Sequence, residues 1–120
     1  MYSVDGRARM RIVRKMPHAI VEEGELIGAF DAKMILDISL TNGAITHFTL
    51  MGSSGSLRGS AALQNYNLGS PAADFEDVGI ARAGTGAFAD IGPSVITFKT
   101  RDNHVANFIT DTVTGRLSDR

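Results

Sequence analysis

Cysteine is absent from this chain of 120 residues. That excludes a disulfide framework and any thiolate metal site, and it fits a reducing compartment. Excess charge of either sign is also lacking: 12 Lys and Arg stand against 13 Asp and Glu, for a net charge of −1. Such a balance gives no overall electrostatic footprint for nucleic acid. Long apolar runs are missing as well. The longest, around Met34 to Leu40, is broken by Asp37 and Ser39, whereas a membrane span needs about 20 apolar residues. The N-terminus has no apolar secretory segment. These absences predict a cytoplasmic protein that binds neither nucleic acid nor membrane. His18, His47 and His104 lack ligand spacing, so no metal site is expected. Sustained helical spacing is absent too, and His18 to Glu25 supplies one short helical turn at most.

What is present is alternation. Residues 8–16 place Met10, Ile12, Arg14 and Met16 on one parity, and Pro17 ends the run, since proline cannot donate to a ladder. Residues 24–41 alternate more cleanly, with Phe30, Ala32, Met34, Leu36, Ile38 and Leu40 together. The run exceeds a typical strand of about 5–6 residues. It predicts two strands joined by a bend, or one long curved strand. Asn42-Gly43 is a strong hairpin signal, and residues 44–51 return from it. Strands are further predicted over 57–66, 75–82, 94–100 and 104–113. The last two form a hairpin about Arg101-Asp102-Asn103. Asn67 to Ala73 reads as a loop, and the polar tail from Thr114 onward is expected to fray.

Glycine supplies the punctuation. Gly52-Ser53-Ser54-Gly55-Ser56-Leu57-Arg58-Gly59 and Ala83-Gly84-Thr85-Gly86-Ala87-Phe88 read as tight turns or bulges between strands. No predicted helix follows Gly84-Thr85-Gly86, so it is no dinucleotide fingerprint. Many short strands with frequent turns predict an all-β fold: one closed antiparallel barrel of about eight strands, a single domain over 1–120.

These segments carry a resemblance. Gly24-Glu25-Leu26-Ile27-Gly28-Ala29-Phe30, Gly55-Ser56-Leu57-Arg58-Gly59 and Ala83-Gly84-Thr85-Gly86-Ala87-Phe88 are similar to the turn motifs of the allene oxide cyclase and dirigent barrel superfamily. The likeness spans roughly residues 24–113, and Ala83 stands where that superfamily usually has glycine. The resemblance implies a barrel that encloses a flexible substrate, such as a polyketide or an oxidised fatty acid, for ring closure without a cofactor. It also implies a dimer or trimer. Apolar residues on both parities of the 24–41 run point to the same covered outer wall. A non-catalytic, lipocalin-like carrier and a dirigent-type orienting protein are the alternatives.

Candidate residues come from one filter. A charged residue on the apolar parity of a strand is costly to bury unless it is paired or useful. Arg82, His47 and Asp111 pass and are the catalytic candidates. Arg or His facing inward would bind a carboxylate or polarise a carbonyl, and Asp111 would orient either or accept a proton. Each has a plainer alternative. His47 and Asp111 have apolar residues on the opposite parity also, and Arg82 has Glu76 and Asp77 within surface-pairing reach. Arg14 also passes and is a substrate-binding candidate; its plainer role is an edge-strand salt bridge within the basic cluster of Arg7, Arg9, Arg11 and Lys15. Tyr66, Met34, Met51 and Phe88 complete the expected lining, with core packing as their alternative.

Overall fold

The computed structural model describes residues 2–41 and 44–118. Period-two alternation organises nearly all of them. Nine strands follow in order: β1 (Tyr2–Ser3), β2 (Gly6–Met16), β3 (Ala19–Gly28), β4 (Ala32–Ser39), β5 (Ile45–Gly52), β6 (Gly55–Leu68), β7 (Ala72–Gly84), β8 (Ser94–Asn103) and β9 (Phe108–Leu117). One 3₁₀ turn, Gly86–Phe88, is the only helical element among the described residues. Each strand from β2 to β9 pairs antiparallel with the next. β9 then pairs back onto β2, from Gly6↔Val113 to Met10↔Ile109. The sheet therefore closes into an eight-stranded antiparallel barrel, with β1 added beside β9. The expected fold class holds.

Several boundaries differ from the sequence reading. His18 to Glu25 is not a helical turn; Ala19 onward is strand β3, held between β2 and β4. Glu22 and Glu23 are poor strand formers, but two-sided pairing overrides local preference. The long 24–41 run splits at a bend, where Asp31 accepts the Gly28 N–H at 3.0 Å. The last hairpin turns at 104–107, because the Asn103 side chain accepts the N–H groups of Val105 and Ala106. Residues 114–117 do not fray. They continue β9, and Leu117 is buried in the core. The Asn42-Gly43 turn lies outside the described residues, while β4 and β5 on either side of it pair as expected.

Inward positions are apolar except at one end, and outward ones mix charged, hydroxyl-bearing and apolar residues. No helix among the described residues is long and apolar enough to cross a membrane. One end of the barrel is sealed. Phe88 is buried edge-to-face against Tyr2 and Phe30, with centroids at 5.5 and 5.0 Å. Gly86 permits this: its φ is +58°, and a Cβ there would collide with the Ser54 carbonyl oxygen. The middle is filled by Phe48 and Phe98, whose rings meet edge-to-face at 5.0 Å. Opposite Phe48 in the ladder stands Gly59, where a Cβ would come within 2.6 Å of the Phe48 ring. A small residue on one wall thus makes room for a large one on the next.

The other end is open. The β2–β3 and β6–β7 hairpins extend past their neighbours there. The β9 ladder reaches β2 only as far as Met10, and the β5 ladder reaches β6 only as far as Ala62. Each uncovered edge begins near a bulge, at Ile12/Arg14 and at Leu63/Asn65. Bulges and the charges of Arg11, Arg14 and Lys15 blunt such edges against pairing with another chain.

Candidate functional site

Above the Phe48–Phe98 layer the inward side chains change character. Glu22 stands opposite Ile12 and Leu36, Asp77 opposite Leu63 and Phe98, Asp102 opposite Ile109, and Asp111 opposite Ala8 and Thr100. Directly paired residues share a face of the sheet. All four acids therefore face inward from four different strands. Glu22, Asp77 and Asp102 line a cavity of about 300 Å³, together with Thr46 and Thr100. Its remaining wall is aliphatic and aromatic, including Ile20, Ile38 and Phe98. No Lys, Arg or His among the described residues lines it.

Asp111 lies behind Thr100 and is fully buried. The Thr100 hydroxyl donates to its Oδ1, and its Oδ2 has no hydrogen-bond partner. Thr46 donates to Asp77 Oδ2 at 3.2 Å. Buried carboxylates are normally paired with a cation, and neither buried acid, Glu22 or Asp111, has one among the described residues. Burial pushes the Glu22 carboxyl up to about 7, and the charges of Asp111, Asp102 and Asp77 add to the effect. Burial also pushes Asp111 up to about 6; the Thr100 hydrogen bond opposes this, and the charge of Asp77 reinforces it. Asp77 is raised by burial against the pull of its Thr46 hydrogen bond. Glu22 and Asp111 thus change protonation near neutrality, the range in which a carboxyl group can both give and take a proton.

The same shifts predict how stability depends on pH. The folded protein holds protons on Glu22 and Asp111 over a range where the unfolded chain has released them. Stability therefore falls as pH rises from about 4, through the unfolded values of 4.5 and 3.8, to the folded values near 7 and 6. Above pH 7 this contribution levels off. Calorimetric melting between pH 4 and 8 should show the decline, and Glu22→Gln should flatten it. An unchanged slope in that variant would remove Glu22 from the account.

A larger outer groove of about 790 Å³ crosses β6 to β2 and includes Arg7, Arg9 and Tyr66. Its charges are solvated, and Arg101 pairs with Asp74 there at 2.8 Å. Exposed pairs of this kind contribute little; the groove also borders the Asp111 and Thr100 positions from outside the lumen.

Of the sequence candidates, only Asp111 stands at the open end facing inward. His47 and Arg82 point outward and are exposed, because Thr46, Phe48 and Ala81 take the inward positions beside them. Arg14 and Met51 are also exposed on the outside. Tyr66 sits on the outer groove, 61% exposed. Met34 is buried in the packed middle and Phe88 at the sealed end. Neither touches the cavity. Sequence reasoning missed Glu22, Asp77, Asp102, Thr46 and Thr100. The signal for Glu22 was its shared parity with Ile20 and Leu26, visible only once 19–28 is read as a strand.

Among the described residues no group of three or more His, Asp or Glu is placed to hold a metal ion. Fold and cavity define a closed β-barrel with an acid-lined pocket at one end. Comparison with family models, curated proteins and solved structures finds no match to the chain.

Proposed function

We propose that the protein is a cofactor-free isomerase or cyclase that rearranges a small, mostly apolar molecule by proton transfer, with Glu22 and Asp111 as the carboxyl pair. The observation that carries this reading is the burial of both groups at inward positions, Glu22 in the cavity wall and Asp111 behind Thr100, with no Lys, Arg or His among the described residues lining that cavity. Confinement by the apolar wall supplies the near-attack shape. Glu22, at the cavity surface, exchanges a proton with substrate. Asp111, buried behind Thr100, adds to the negative charge that Glu22 feels. The eight-stranded closed barrel is also the fold that the resemblance to allene oxide cyclase and dirigent barrels implies, which supports the reading. Of the two substrate types implied there, a polyketide suits the site better. The carboxylate of an oxidised fatty acid would face like charge.

Isomerisation and ring closure by proton transfer leave mass unchanged. The protein incubated with a small-molecule extract of its source cells should deplete one compound and yield another of equal mass and different retention. Glu22→Gln should not. Only mass-changing products would point to hydrolysis or redox chemistry. A compound retained unchanged by both proteins would make the barrel a carrier.

A further inference from the structure

The acids of this protein are treated in two ways. On the surface they have cations. Glu23 pairs with Arg11 at 2.8 Å and with Lys33 at 3.8 Å, Glu76 with Lys99 at 3.7 Å, and Asp74 with Arg101 at 2.8 Å. Inside, where a lone carboxylate costs most, Glu22, Asp77, Asp102 and Asp111 have none. Solvent reaches Asp77 and Asp102 in part, whereas Glu22 and Asp111 are left to protons or a ligand for compensating charge. A second feature is independent of the clustering: Asp111 is fully buried, and its Oδ2 lacks any hydrogen-bond partner.

We infer that the cavity receives a small apolar molecule bearing a protonated amine, with the ammonium among Glu22, Asp77 and Asp102 and the apolar part against Ile20, Ile38 and Phe98. The inference rests on the site assignment made for the proposed function and names its substrate class. At about 300 Å³ the cavity is at the small end of ligand pockets, so the guest is compact. Its wall gives a hydrocarbon body apolar contact. Its three lining carboxyls come from β3, β7 and β8, and among the described residues no such group is placed to hold a metal ion, which suits an ammonium better. A carboxylate or phosphate guest would meet only like charge. The ammonium favours ionised Glu22, so below about pH 7 it binds with release of the Glu22 proton. The titratable groups facing Glu22 are Asp77 from β7, Asp102 from β8 and Asp111 from β9. β2, β4, β5 and β6 contribute no charge to the cavity.

Calorimetric titration of the whole chain with n-octylamine, 1-octanol and sodium octanoate tests this. At pH 8 octylamine should bind at least about tenfold more tightly than octanol, and octanoate should not bind. Lowering the pH to 5 should weaken octylamine up to about 100-fold, one decade per pH unit below the Glu22 value, and leave octanol unaffected. The Glu22→Gln/Asp77→Asn/Asp102→Asn triple variant keeps the side-chain volumes and removes all three charges that line the cavity. It should bind octanol like the wild type and lose the amine preference. The inference is overturned by absence of octylamine binding at millimolar concentration, by equal or tighter binding of octanol or octanoate, or by an amine preference that survives the triple variant. Octylamine displaced by calcium chloride in the wild type only would assign the acids to a metal ion instead. Amine selectivity without a mass-neutral product would keep the receptor and discard the enzyme. A mass-neutral reaction on a neutral compound, without amine selectivity, would do the opposite.

Discussion

Glu22→Gln is expected to lower turnover of the mass-neutral reaction by about 10²–10⁴-fold, the range one positioned proton-transfer group contributes, while the barrel stays folded. The two effects part company because Glu22 costs the fold something. Its carboxyl is desolvated and surrounded by acids, so above pH 7 an uncharged amide of the same size should hold or raise the melting temperature. A residue kept for packing would show the reverse pattern, with activity falling only as far as the folded fraction falls. Steady-state kinetics and melting at pH 8 on the same preparation separate these cases. Equal turnover in the two proteins would end the assignment of Glu22 as the proton carrier.

Phe48→Ala is expected to destabilise the protein by about 3–5 kcal/mol, as large aromatic truncations in cores do. That is a large part of the roughly 5–15 kcal/mol that keeps a domain folded. The site cannot readily collapse. Gly59 opposite Phe48 has no side chain to move in, and Phe98 already packs edge-to-face on the ring. Phe98 is also part of the cavity wall, so the missing ring would deepen the pocket toward the sealed end. Chemical denaturation measures the loss. A cost below about 1 kcal/mol would show that the layer beneath the cavity is loosely packed.

The barrel was legible in the sequence because its strongest signals are repetitive. Residues 32–39 alternate so regularly that no helix could carry them, and the Gly52–Gly59 and Ala83–Phe88 segments mark turns that glycine alone accommodates. The site was harder to read, for a physical reason. Inward and outward parity is decided by which side of the sheet meets the core, and strands such as 45–51 and 78–82 carry apolar residues on both sides. His47 and Arg82 consequently appeared able to face the lumen, although Thr46, Phe48 and Ala81 occupy it. Asp111 was recovered because Ile109 and Val113 share its face and the core. Glu22 was lost for the opposite reason: Glu22-Glu23-Gly24-Glu25 looks unlike a strand, and only pairing with β2 and β4 makes it one.

The Tyr2↔Leu117 pairing, with Gly92 N–H donating to the Ser118 carbonyl at 2.7 Å, brings the first and last described residues together on the side occupied by Phe88. A reporter or affinity handle joined to either extremity would hang from the base of the vessel and leave its lip unobstructed. Splicing those extremities and reopening the chain at the 69–71 bend would give a rearranged connectivity with the same lumen.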